Sequence, residues 1–314
     1  MRVLTLTLNP AIDQTVTLDR LVPGAVHRAS AVRQNAGGKG VNVASCLADW
    51  GVAVAAHGLL GRDNAAPFEA LFAAKAIADQ CQRVAGATRV NLKLVDAAGT
   101  TDINLAGPPA APATLAAAAD GLCAAAQQGD LVVLAGSLPP GAPDDTYARL
   151  TARLRAQGCT VLLDTSGAPL NAALAAHTLP NVLKPNHEEL AQWLGQPHAD
   201  RAALLTAAHG LVARGAGLVV VSMGAEGALF VSARGALHAQ LAAGAITSTV
   251  GAGDAMVAGI AAGWVAGAGL GDLARLASAF AVGKLGLAGP NLPPTPQIQA
   301  LAAQVQIAAL TPAR

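Results

Sequence analysis

Short apolar runs alternate with stretches of helical spacing along most of the chain. Val3–Leu8, Val52–His57, Leu131–Ala135, Thr160–Asp164, Asn181–Lys184 and Leu218–Ser222 read as strands covered on both faces. Between them, Gly40–Trp50, Asp144–Ala156 and Arg201–Arg214 place apolar residues at helical intervals. That alternation predicts βαβ units with right-handed crossovers, and so a doubly wound, mostly parallel α/β sheet flanked by helices. Two segments break the rhythm. Gln14–Asp19 and Val90–Leu94 alternate apolar and polar residues, as strands do when only one face is covered. Thr101–Leu105 can pair with the second of these across a turn at Asp96–Thr100. These strands predict a small β-sheet lid, contributed by about 14–35 and 88–106. No repeat or long linker divides the chain, so one domain spanning 1–314 is expected, with the Pro- and Ala-rich Gly107–Thr114 leading back from the lid.

Composition narrows the function classes. Hydrophobic residues make up 53% but aromatics only 3%, so the core is built from Ala, Val and Leu. Charged residues are 12% and the net charge is +1, which leaves no basic field to attract nucleic acid. Cys46, Cys81, Cys123 and Cys159 form no CxxC pair and read as apolar thiols. The N-terminus lacks a signal-peptide pattern, and the uncharged stretch from Ala255 to Gly271 is short for a membrane span. It reads as a buried helix, and a cytoplasmic protein with no membrane partner is expected.

Candidate chemistry concentrates in a few Gly-rich turns. Thr247–Ala255 reads TSTVGAGDA and runs into an apolar helix expected over Met256–Leu270. The small residues let the amides of Ala252, Gly253 and Asp254 converge at a helix N-terminus, where free N–H groups favour an anion. A carboxylate in such a pocket repels the anion unless Asp254 accepts a proton from an attacking hydroxyl. Helix capping explains Asp254 equally well on local grounds.

Asn35–Asn42 reads NAGGKGVN, in which glycines permit close approach and Lys39 and Asn42 supply donors; the Walker A pattern is absent. Asp13 follows the first strand, at the edge where parallel sheets bind ligands. In Lys184-Pro185-Asn186-His187-Glu188-Glu189, Asn186 and Glu189 suit either a phosphate-bound Mg²⁺ or a capped helix start. Ser222–Gly227 is a tight turn, either an ordinary hairpin or the floor of a nucleotide site. Ser137, in the turn GSLPPG, reads as a ligand donor because no base is indicated near it.

Seven motifs appear in order: TLTLNPAID, GGKGVN, TRVNLKL, AGSLPPG, KPNHEEL, SMGAEG and STVGAGD. In that order they resemble the ribokinase-like carbohydrate kinases, specifically the phosphofructokinase B-type branch, over nearly the full chain. The resemblance implies MgATP as donor, Asp254 as general base, and Gly251, Ala252 and Gly253 as the anion hole. It implies acceptor contacts from Asp13, Gly37, Gly38, Lys39, Asn42 and Ser137, and nucleotide contacts from Lys184, Asn186, Ser222, Gly224, Gly227, Ser248 and Gly253. Glu189 matches a residue linked with Mg²⁺, through water. Ser248 and Val250 match positions where some relatives coordinate a monovalent cation such as K⁺. The lid implies a homodimer. The TLNPAID start and Arg89 favour a phosphorylated acceptor, with Arg89, Lys39 and Arg28 as candidate phosphate ligands.

The expected reaction is transfer of the ATP γ-phosphoryl to the C6 hydroxyl of fructose 1-phosphate. Tagatose 6-phosphate and fructose 6-phosphate are the nearest alternative acceptors. An unphosphorylated-sugar or nucleoside kinase would make Arg89 a surface residue, and a silent phosphosugar sensor would dispense with the base. The chain departs from the family pattern at Ala255, where close relatives often have Ser, and at Arg28, where no Lys is present.

Overall fold

The computed structural model describes residues 1–244 and 250–310. In chain order the first elements are β1 (Val3–Thr7), β2 (Ala11–Thr17), β3 (Ala31–Gly37), α1 (Lys39–Asp49), β4 (Val54–Gly61), α2 (Ala66–Ala74), β5 (Ala78–Val84), β6 (Arg89–Asp96) and β7 (Gly99–Ile103). Then follow α3 (Pro112–Ala125), β8 (Leu131–Ala135), α4 (Thr146–Ala156), β9 (Thr160–Asp164), α5 (Gly167–Ala175), β10 (Val182–Leu183), α6 (His187–Trp193) and α7 (Arg201–Ala213). The last elements are β11 (Leu218–Ser222), β12 (Ala228–Ser232), β13 (Gly235–Gln240), α8 (Ala252–Val265), α9 (Leu270–Leu285), α10 (Thr295–Gln304) and β14 (Gln306–Leu310).

Ten strands form one sheet in the order β14-β13-β12-β11-β10-β9-β8-β1-β4-β5. The run from β11 to β5 is parallel, and β12, β13 and β14 extend it antiparallel. Successive strand residues feed opposite faces. Leu131, Val133 and Ala135 join the core under α1, α2, α8, α9 and α10, while Val132 and Leu134 join the core under α3 to α7. This two-sided burial is why the central strands read as continuous apolar runs. From β1 the chain moves outward through β4 to β5, then returns to place β8 on the other side of β1. The strand order thus reverses between β1 and β8, and ligand crevices open at the carboxyl ends of strands at such a point.

The second sheet has the order β3-β2-β6-β7. Register fixes its faces. Asn35, Asp13 and Asn91 lie in one row across it, and Arg33, Thr15, Lys93 and Asp102 in the next. The opposite face carries Val16, Val32, Leu92, Leu94 and Ile103, of which Val32 and Ile103 are exposed.

Several expected boundaries move. The strand expected at Gln14–Asp19 is β2, which starts at Ala11 because pairing with β3 and β6 extends to the Gly37 end. The turn after β6 is shorter than Asp96–Thr100, with Asp96 Oδ1 accepting from the amides of Ala98 (2.8 Å) and Gly99 (3.1 Å). The helix expected over Met256–Leu270 starts at Ala252 and stops at Val265. Gly267, at φ +66°, turns the chain back, so α9 packs antiparallel on α8. Among the described residues, no helix is long and apolar enough to cross a membrane.

Candidate active site

Asp254 lies in the first turn of α8, whose N-cap Gly251 adopts φ +82°. The carboxylate is 8% exposed, and its Oδ2 accepts a 2.7 Å hydrogen bond from Asn42 Nδ2 on α1. Burial pushes its pKa above the usual carboxylate range. Lys39, Asn42 and Lys184 oppose that rise while the Asp164 charge adds to it. A carboxylate raised in this way is a stronger proton acceptor than one in water.

Asp164 ends β9, is 1% exposed, and was not singled out in the sequence. Its Oδ1 receives the ammoniums of Lys39 (3.2 Å) and Lys184 (3.3 Å). Burial works to raise the Asp164 pKa, but the two lysines outweigh it and hold the carboxyl low. Burial alone would also lower Lys39, yet Asp164, Asp254 and Glu189 together hold its ammonium above the ordinary lysine range. Asp164 could have been found as a carboxylate at the carboxyl end of a buried strand.

Gly38, at φ +106°, delivers the chain from β3 into α1, and a Cβ there would stand 2.9 Å from Thr7 Cγ2. A Cβ on Gly37 would meet Asp13 Oδ2 at 2.8 Å. Asn91 Nδ2 donates to Asp13 Oδ1 (3.1 Å), which orients the second oxygen toward the Gly37–Gly38 turn. Asn9, also missed, donates to Ser137 Oγ (3.1 Å) and so joins the ends of β1 and β8.

Two clefts meet at the start of α8. One, of about 620 Å³, runs beneath the small sheet and is lined by Asp13, Arg33, Asn35, Asn42, Lys93, Val250, Gly251 and Lys284. The other, of about 980 Å³, is lined by Ser222, Gly224, Ala225, Gly227, Leu241, Ala252, Gly253, Met256 and Leu285. Lys184 Nζ stands 3.8 Å from where a Cβ on Gly253 would be.

Other expected residues take different places. The Arg89 guanidinium donates to the carbonyls of Asn9 (3.0 Å), Pro10 (3.2 Å) and Leu105 (2.8 Å), so it clasps the root of the small sheet. Arg28 is exposed in the loop between β2 and β3, at the end remote from Ala11 and Gly37. Within one chain it does not join the other residues. Asn186 and Glu189 form a complete capping box for α6: Asn186 Oδ1 accepts from the Glu189 amide (2.7 Å), and Glu189 Oε2 from the Asn186 amide (2.8 Å). Ser248 lies outside the described residues.

The residues fit a Mg²⁺ carried by nucleotide phosphates. Among the described residues no cluster of three His, Cys, Asp or Glu could hold a metal alone. The buried Asp164 Oδ2 has no hydrogen-bond partner there, which leaves it free to receive a water or a cation.

Residues 6–297 match the model of the pfkB family carbohydrate kinases. The 1-phosphofructokinase of Xanthomonas campestris pv. campestris is 57% identical over 290 residues, 91% of each chain. That of Rhodobacter capsulatus is 49% identical over 315 residues, 99% of each. The structure of Escherichia coli phosphofructokinase-2 in complex with potassium superposes with a TM-score of 0.90 at 28% identity, covering 96% of this chain and 98% of that one. The chain belongs to the pfkB family of carbohydrate kinases.

Proposed function

We propose that the chain transfers the γ-phosphoryl of ATP to the C6 hydroxyl of fructose 1-phosphate, acting as one kinase unit over 1–314 with the small sheet as its lid. The observation that carries this reading is the position of Asp254, a buried carboxylate in the first turn of α8, the helix start at which the two clefts meet. The cleft beside Gly224–Gly227 is floored by glycine and alanine and walled by Met256 and Leu285, which suits a purine. The cleft under the lid carries Asp13, Asn42 and Asn35 for hydroxyls.

Asp254 takes the proton of the attacking C6 hydroxyl as its oxygen bonds to the γ-phosphorus, while the bond from that phosphorus to the β,γ-bridging oxygen breaks and ADP leaves. The amides of Ala252 and Gly253, with Lys184 beside them, stabilise charge on the transferring group. Asp164 and Glu189 would hold a nucleotide-borne Mg²⁺ through water, and the ion would supply neutralisation of phosphate charge. Arg89 keeps two of its five N–H groups beyond those given to the three carbonyls and interacts electrostatically with Asp13, so it stays a phosphate candidate, and Lys93 and Arg33 join it from the cleft wall. Lys93 and Arg33 stand one row beyond Asp13 on the lid, about 7 Å along the strands, which matches the reach across a ketohexose. The Lys93–Asp102 pair (3.3 Å) is partly solvated and yields readily to a dianion.

Names of the relatives support fructose 1-phosphate as acceptor. The test measures MgATP consumption with fructose 1-phosphate, fructose 6-phosphate and tagatose 6-phosphate in parallel. Selective turnover of the first is expected; preference for a 6-phosphate would replace the acceptor, and binding without turnover would make the protein a sensor. The apolar outer face of the lid, with Val16, Val32, Leu94 and Ile103, supports a homodimer formed lid to lid.

A further inference from the structure

Lys284 occupies the last turn of α9 and is 2% exposed. Its Nζ donates to the Leu287 carbonyl at 2.8 Å. Its Cε stands 3.4 Å from where a Cβ on Gly251 would be, so the side chain runs against the turn that opens α8. It lines the lid-side cleft together with Val250, Gly251, Ala288 and Gly289, and it interacts electrostatically with Asp254 and Cys46. Among the described residues no carboxylate forms an ion pair with it.

A buried ammonium without a carboxylate partner is costly, and a leucine would serve packing better. One explanation is capping: a cation near a helix C-terminus satisfies late carbonyls. The neighbourhood offers a second. Val250, a position matching a monovalent-cation ligand in the family, lines the same cleft wall, and a family relative has been solved with potassium. A K⁺ beside Val250 needs free carbonyl oxygens and no competing charge. Here the Leu287 oxygen is taken, and a second cation beside the ammonium would be repelled. Among the described residues, those beside Val250 therefore do not fit K⁺.

We propose that the Lys284 ammonium stands in place of a monovalent cation, holding positive charge covalently beside the Gly251–Asp254 turn and freeing the protein from potassium. The kinetic arm of the test rests on the kinase reading; the melting arm needs no substrate. Wild type, Lys284→Met and Lys284→Arg are compared in choline, sodium and potassium buffers of equal ionic strength. Wild-type turnover is expected to differ by less than about twofold between choline and potassium, and Lys284→Met to fall about tenfold or more in choline and recover with added potassium or ammonium. Lys284→Arg is expected to stay independent of potassium. The melting temperature of Lys284→Met should rise with potassium over choline, and that of the wild type should not. A wild type that needs potassium overturns the proposal. So does a folded Lys284→Met whose turnover and melting ignore potassium, the result that a simple helix cap would give. If the Met variant does not fold, Lys284→Gln takes its place in both arms. Absence of turnover with every sugar phosphate would refute the kinase reading while the melting arms still judge Lys284.

Discussion

The two clefts that meet at the start of α8 are lined by different materials. The one under the lid is walled by charged and amide side chains from β2, β3 and β6, with Lys284 opposite them. The one beside Gly224–Gly227 offers mostly backbone, alanine and aliphatic surface. A dianionic sugar has hydroxyls and a phosphate to be read individually, whereas a purine is held largely by shape and apolar contact. On the proposed reading, the contrast assigns acceptor choice to the small sheet, and donor binding and chemistry to the large one.

Substitutions can break this division or sharpen it. The largest effect is expected where the clefts join. Asp254→Asn should cut kcat by about 100- to 10,000-fold with sugar-phosphate binding retained, read by steady-state kinetics beside calorimetric titration. Unchanged turnover would remove Asp254 from the mechanism. Lys93→Met, alone or with Arg33→Met, should raise the KM for the sugar phosphate about 10- to 100-fold and leave the KM for ATP in place. If an unphosphorylated ketohexose weakened equally, the two cations would not be reading phosphate. Ala225→Trp, on the rim of the other cleft, should reverse that pattern, with the KM for ATP rising about tenfold.

Smaller still is a pH effect. Burial raises the Asp254 pKa, so activity should be lost, as pH falls, at values above those of an ordinary aspartate. Asn42 donates to the charged form and lowers that pKa, so Asn42→Ala should move the acidic limb of kcat/KM upward. A limb that moved downward would contradict the role given to that hydrogen bond. At the lid's outer face, Val32→Asp should convert a dimer to monomer in light scattering with catalytic geometry within one chain kept.

How much of this was readable in the sequence depended on burial. β8, β9 and β11 begin and end where the apolar runs do, because residues covered on both faces leave little else for the chain to do. β3 escaped as a strand because AVRQNAG alternates nothing: its first four residues are exposed, and only register with β2 reveals a face. The Gly-rich turns were legible because their glycines answer local geometry, as Gly38 does at φ +106°. Arg89 was visible as a residue but not as a clasp, since its partners are backbone carbonyls that have no sequence signature. Lys93 and Arg33 were hidden for a related reason. Only the pleat and the cross-strand register bring them into one row.

The hydrogen bond from Asn42 to Asp254 joins residues 212 positions apart. Such a contact closes late, after local helices have formed and the parallel strands between them have found their order. During refolding from denaturant, helical signal should therefore return before catalytic competence. A chain interrupted during synthesis before residue 254 would hold most of a sheet and none of its chemistry.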